Sequence, residues 1–308
     1  MIKYALVIKM KKQLRGSALL TFATIIWGSA FVAQSVGMEH IGPFTFQAVR
    51  CFLAVLALIP VILIADRFKT DGKTFFSRWC DRKLLKAGLL CGLPLFLACN
   101  LQQLALVDTD AGKAGFLTAM YIVIVPIMGI FLKRKPSVMI PISVLLAVAG
   151  LYFLSCAGVT GVQAGDLMLL GCAFMFAVQI TFVDIFAPDV DPMRLNLLQA
   201  LVCCILSSVV MLFTEQPALP AIVDCWLPLT YTGVLSMGVA YGLQILGQRD
   251  LEPAPAALIM SLESVFAAIF GWLILRETMT FWESTGCVLI FIAVILSQIP
   301  VKKKVKTA

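Results

Sequence analysis

The sequence predicts an all-α integral membrane protein, with ten transmembrane helices in two inverted five-helix repeats. Three observations predict it. The chain has 308 residues, of which 61% are hydrophobic and 13% charged, where a soluble domain carries about 25% charged residues; its mean hydropathy is +0.98. Ten apolar runs have the length that crosses, or nearly crosses, a hydrocarbon core of about 30 Å at about 1.5 Å per residue. The second half of the chain also repeats polar landmarks of the first.

The runs lie at 17–36, 43–65, 84–106, 112–132, 138–157, 166–186, 193–213, 227–247, 254–275 and 281–299. The expected organisation is a tail at 1–16, a first five-helix unit at 17–157, a second at 163–299 and a basic tail at 300–308. Connections are short except Asp66 to Lys83, which is charged and contains Trp79. The cysteines, among them Cys91, Cys99, Cys156, Cys172, Cys203 and Cys204, lie mostly inside apolar runs, where they read as small packing residues.

Lys and Arg set the orientation. With the N-terminus inside, twenty of the twenty-four fall in cytoplasmic segments, and Lys86 lies at the base of the third run. Arg276 and Lys113 fall on the outer side, and Arg50 within the membrane. Both termini are therefore expected in the cytoplasm, the membrane being a bacterial cytoplasmic (inner) one. The net charge of +7 sits in tails and short loops, so its partner is the lipid bilayer surface and not nucleic acid.

Sliding the chain by 142 residues puts Leu101 and Gln102 on Leu243 and Gln244, Asp108 on Asp250, Tyr121 on Glu263 and Arg134 on Arg276. Upstream, a slide of 149 puts Pro43 on Pro192, Gln47 on Asn196 and Arg50 on Gln199. Each unit holds five crossings. An odd number reverses direction, so the units are related by a pseudo-two-fold axis in the membrane plane, with a substrate site expected at their interface near mid-depth.

Four segments carry a family resemblance: TIIWGSAFV (24–32), FQAVRCFLA (46–54), AGKAGFLTAMYIVIVPIMGIFLKRKP (111–136) and AALIMSLESVFAAIFGWLILRE (256–277). Together they resemble the EamA-type ten-helix permeases of the drug/metabolite transporter superfamily, over nearly the whole chain. The resemblance implies two inverted five-helix bundles and export or import of small metabolites such as amino acids. It implies a mechanism class and no particular ligand.

Candidate residues follow the chain. In the first run Trp27 could wall a cavity, with Gln34 a weaker candidate. Arg50 in the second could bind a substrate carboxylate, or hold a structural place. The third carries Gly88 and Gly92 at GxxxG spacing, Pro94, and the amides Asn100, Gln102 and Gln103, with Asn100 and Gln103 on one helical face. Such amides bind polar solutes or join membrane helices. The fourth carries Tyr121 and Pro126, and the fifth Pro141; the prolines favour kinks. Gln179, Gln47 and Asn196 are weaker amide candidates. The eighth offers Gly238 and Gly242, Tyr241 and Gln244.

The ninth run, Pro255 to Glu277, holds the central feature. It is apolar except for Ser261, Glu263 and Ser264 near its middle. A carboxylate at that depth costs at least about 2.5 kcal/mol on insertion scales. Glu263 can bind a substrate ammonium, exchange a coupling proton, or accept a hydrogen bond from a phenol such as Tyr121.

Enzyme chemistry finds little support. There is no HExxH, GxSxG, Walker A loop or GxGxxG, and His40 is the single histidine. No cofactor and no metal is expected. The reading is a secondary transporter of small polar metabolites, amino-acid-like or drug-like, working by alternating access, with proton-coupled efflux compatible. The alternative is a channel-like protein, an intramembrane enzyme or another non-transporting membrane protein. Oligomeric state stays open.

Overall fold

The computed structural model describes residues 2–69, 74–107, 109, 111–134, 137–155, 164–275 and 279–299, and among these there is helix and no strand. Eight helices are long and apolar enough to cross a membrane, and two shorter apolar ones, Met139–Leu154 and Phe281–Ser297, complete the expected ten. Their outer faces carry exposed apolar side chains such as Phe52, Ile127, Leu145 and Ile292, as lipid contact requires.

The first span, Ile2–Met38, starts earlier than expected. Residues 2–16 of the segment read as a tail join the same helix, since nothing up to Arg15 is Gly or Pro and its Lys, Leu and Ala residues favour helix. The second span is Pro43–Arg67, the third Arg82–Ala105, the sixth Ala164–Phe186 and the seventh Pro192–Thr214. Proline opens the second and seventh, where its missing N–H costs nothing.

Three spans are not continuous α-helix. The fourth divides into Ala111–Thr118 and Tyr121–Phe131, the ninth into Pro253–Met260 and Leu262–Leu275. At each break the ladder tightens to three-residue steps: Ile122 N–H reaches Ala119 O at 3.0 Å, and Ser264 N–H reaches Ser261 O at 3.2 Å. The eighth runs as Trp226–Thr230, a π-helical stretch Tyr231–Ala240, and Tyr241–Gln248. The expected proline kinks do not account for these features. Pro94 and Pro126 sit inside unbroken helices, and Pro141 is in the first turn of Met139–Ser155, where a proline is tolerated.

Packing exchanges between the halves. The first span packs on the eighth and ninth, and the second on the eighth; the sixth packs on the third and fourth, and the seventh on the third. Two bundles result, one of the first, second, eighth and ninth spans, the other of the third, fourth, sixth and seventh. The second and seventh spans pack on each other, as do the fifth and tenth. Gly88 and Gly92 let the third span approach the seventh: a Cβ there would lie 2.5 Å from Leu198 Cβ and 2.7 Å from Val202 Cβ. The matching Gly238 and Gly242 are looser, with nearest atoms at 3.5 and 3.3 Å.

The termini share one face, where Gln13 Nε2 donates to Gln298 Oε1 at 3.1 Å. That face carries an ion cluster. Arg194, 2% exposed, pairs with Asp66 and with Asp191 at 3.1 Å, and its guanidinium lies 5.3 Å from the centre of the Trp79 ring. Asp66 also meets Arg78 at 2.8 Å, and Lys69 bonds Asp191 at 2.5 Å. Burial pushes the Asp191 carboxyl up, but the hydrogen bonds from Lys69 and from the Arg194 backbone outweigh it and hold the group below its ordinary 3.8. Seven cysteines, Cys51, Cys91, Cys99, Cys172, Cys203, Cys225 and Cys287, are buried packing residues and Cys80 is exposed; Cys156 lies outside the described residues.

Candidate functional site

A cavity lies between the two bundles. Its volume is about 50 Å³, enough to hold water. Of the sequence-predicted residues, Glu263, Tyr121, Gln102, Gln244, Arg50, Trp27 and Tyr241 line it, as do the weaker candidates Gln34 and Gln179. Asn100 does not. Its amide donates to Ser207 Oγ at 3.0 Å and to Phe96 O at 2.7 Å, which joins the third span to the seventh. Gln103, expected on the same face, is fully buried away from the cavity.

The two helix breaks create the centre of the site. Tyr121 opens the second half of the fourth span, and Glu263 lies in the first turn of the second half of the ninth. A carboxylate in that position meets the positive end of a half-helix. Tyr121 Oη donates to Glu263 Oε1 at 3.1 Å, and this bond runs from one bundle to the other. The Phe176 ring packs edge-on to Tyr121, with centroids 6.5 Å apart.

Arg50 is 3% exposed. One arm donates to Gln34 Oε1 at 2.7 Å, and the guanidinium lies 5.7 Å from the Phe46 ring centre, while Nε has no partner. Trp27 stands edge-on to Tyr241, with centroids 5.0 Å apart, and its indole N–H is also without a partner. Gln102 Nε2 donates to Thr118 Oγ1 at 3.2 Å. The cavity is thus lined by residues that carry a cation, a carboxylate, amides and aromatic rings, and two of them, Arg50 and Trp27, hold a buried N–H without a partner. Among the described residues no three His, Cys, Asp or Glu side chains converge as a metal would need.

Sequence reasoning missed Phe31, Cys99, Phe176, Ile180, Ser236, Met237 and Met260 as lining residues. Apolar side chains inside apolar runs carry no individual signal. The repeat could have found several. A slide of 149 puts Trp27 on Phe176 and Phe31 on Ile180, and a slide of 142 puts Cys99 on Tyr241. With Gln102 and Gln244, and Tyr121 and Glu263, five repeat-equivalent pairs face one cavity.

Comparison with known proteins agrees with this architecture. The model of the EamA-like transporter family matches twice, at residues 14–156 and 163–298. An uncharacterized transporter of Archaeoglobus fulgidus is 32% identical over 298 residues, covering 94% of this chain and 88% of its own. The uncharacterized transporter YoaV of Bacillus subtilis is 23% identical, with 87% and 91% covered. A WAT1-related chloroplastic protein of Arabidopsis thaliana is also 23% identical, covering 89% of this chain and 67% of its own. A solved crystal structure at 17% identity superposes with a TM-score of 0.74 over 92% of this chain and 96% of that one, a likeness of fold. With its family model matched in both halves, the chain belongs to the EamA-like transporter family.

Proposed function

We propose that this membrane transporter carries a small zwitterionic solute, an amine bearing a carboxylate, by alternating access between the two bundles. The observation that carries the reading is the pairing of charge in the cavity. Arg50 and Glu263 face the same small space, and each is bonded to a neutral partner. A substrate carboxylate suits the Arg50 guanidinium and the Trp27 N–H. A substrate ammonium suits Glu263.

The Tyr121–Glu263 bond supports the mechanism. It ties the bundles at the cavity, so a cation or proton that takes the Glu263 carboxylate competes with the tie. Coupling to a proton gradient follows from the same exchange. The two inverted five-helix units at 17–157 and 163–299 give both bundles equivalent parts. Lys and Arg concentrated toward the terminal face support a cytoplasmic placing of that face.

The test is uptake into liposomes of the purified protein, with the twenty protein amino acids as a panel, with and without a pH gradient. Saturable flux of at least one amino acid, driven by an imposed gradient, is expected. Conductance that never saturates would instead make the cavity a channel, and no flux of any amino acid would remove the zwitterion.

A further inference from the structure

The cavity wall made by the sixth and eighth spans is backed by a string of five side-chain amides. Gln248 Nε2 donates to the Ile180 carbonyl at 3.0 Å. Gln244 Nε2 donates to Gln248 Oε1 at 2.9 Å and to Gln179 Oε1 at 3.1 Å. Gln179 Nε2 then donates to Gln199 Oε1 at 3.1 Å, and Gln199 Nε2 to Asn196 Oδ1 at 3.0 Å. Asn196 Nδ2 ends the string on the carbonyls of Met237 and Gly238, at 3.2 and 2.7 Å, in the π-helical stretch. All five side chains are 2% exposed or less.

The oxygen and nitrogen ends of an amide are distinguished by their hydrogen-bond partners. Here backbone carbonyls, which only accept, stand at both ends of the string. Asn196 must turn its NH₂ to Met237 and Gly238, so its oxygen faces Gln199. Gln199 must then donate, its oxygen faces Gln179, and Gln179 in turn offers its oxygen to Gln244. From the other end, the Ile180 carbonyl takes the Gln248 NH₂, which leaves Gln248 Oε1 to accept from Gln244. Both N–H groups of Gln244 are thereby committed. Its Oε1 has no partner, and Gln244 lines the cavity while Asn196, Gln199 and Gln248 do not.

We propose that Gln244 Oε1 is a fixed acceptor that selects a substrate carrying an N–H donor, and that Gln179, Gln199, Asn196 and Gln248 are positioning residues that prevent the amide from turning over. This rests on the cavity being the substrate site, and it names the group recognised there. Asn100 Oδ1 and Gln47 Oε1 are also unpaired, but those residues do not line the cavity; Gln244 does, and its buried, unpartnered oxygen belongs to an amide whose orientation the string fixes.

The test compares an amino acid carried by the wild type with its N,N,N-trimethyl betaine, which keeps the charges and has no N–H, as competitors for uptake into liposomes. Wild-type protein should favour the amine by about tenfold or more, the worth of one hydrogen bond to a charged donor. Gln244→Met should bring the ratio toward one. Asn196→Leu and Gln199→Leu should lower the same ratio from outside the cavity, a change that loss of packing alone would not produce; if one of the two fails to fold, the other carries the test. Equal competition by amine and betaine in the wild type overturns the proposal, as does a ratio unchanged in Gln244→Met. A ratio that falls only in Gln244→Met overturns the positioning role. Absence of any amino-acid flux in the wild type is a different result, which removes the zwitterion reading on which this selection rests.

Discussion

The central cavity and the ion cluster at the terminal face both withdraw charge from water, and they satisfy it in opposite ways. In the cluster, Arg194 meets Asp66 and Asp191, and Asp66 and Asp191 are shared with Arg78 and Lys69. In the cavity, Glu263 meets a phenol and Arg50 an amide. A charge beside its opposite holds helices together and gives little to a ligand. A charge beside a neutral partner keeps most of its field for whatever enters. The same residue types therefore perform different work, according to what faces them.

The largest expected effect breaks the cavity side of this comparison. Glu263→Gln keeps size and hydrogen-bonding capacity but cannot carry charge. The variant should fold and insert, with a stability loss of about 1–2 kcal/mol or less, while gradient-driven flux is abolished or uncoupled. Thermal stability in detergent and flux in liposomes check the two halves. Wild-type flux would remove Glu263 from the mechanism, and a variant that fails to fold would make the carboxyl a structural one.

Arg194→Met breaks the other side. The substitution leaves Asp66 and Asp191 without the cation that lies between them and removes the stack on Trp79. Each carboxylate keeps another cation, Arg78 or Lys69, so the loss is that of charge-assisted hydrogen bonds and the Trp79 stack, about 2–3 kcal/mol. Unfolding in detergent should show that loss, with flux per folded molecule retained. A cost below about 1 kcal/mol would show the cluster to be no more than a solvated set of surface pairs.

The contrast between these two regions was only half readable in the residues. Apolar runs mark the spans because nothing else suits lipid, and the repeat brings Tyr121 to Glu263 because both halves obey one geometry. The breaks at Ala119–Met120 and Ser261 contain no Gly or Pro, and the π-helical stretch has none but Gly233 and Gly238, so tertiary packing decides them. Arg194 counts in the sequence as one more loop cation. Its burial depends on Asp66 and Trp79, more than a hundred residues away. Asn100 and Gln102 lie two residues apart on one helix, and what faces each side of it, Ser207 or the cavity, is set by the neighbouring helices.

The smallest expected effect sharpens the comparison at the opposite face. A slide of 149 puts Asp66 on Glu215 and Thr45 on Arg194. Glu215 therefore holds the far end of the same helix pair, and among the described residues no arginine pairs with it. Its carboxylate accepts from the N–H groups of Phe44 and Thr45 at 2.9 and 2.8 Å and from Thr45 Oγ1 at 2.5 Å. The second span begins at Gly42 and Pro43, which supply no side-chain cap, so the cap comes from the neighbouring helix and also meets the positive end of the helix dipole. Glu215→Ala should cost about 1–2 kcal/mol, less than Arg194→Met, because the freed N–H groups can turn to water at that partly exposed end. Glu215→Gln should recover part of the loss, since one acceptor oxygen remains. Parallel unfolding curves for the three variants decide the matter. Equal losses at Arg194 and Glu215 would mean that both ends hold the pair alike, and no loss in Glu215→Ala would leave the second span uncapped without consequence.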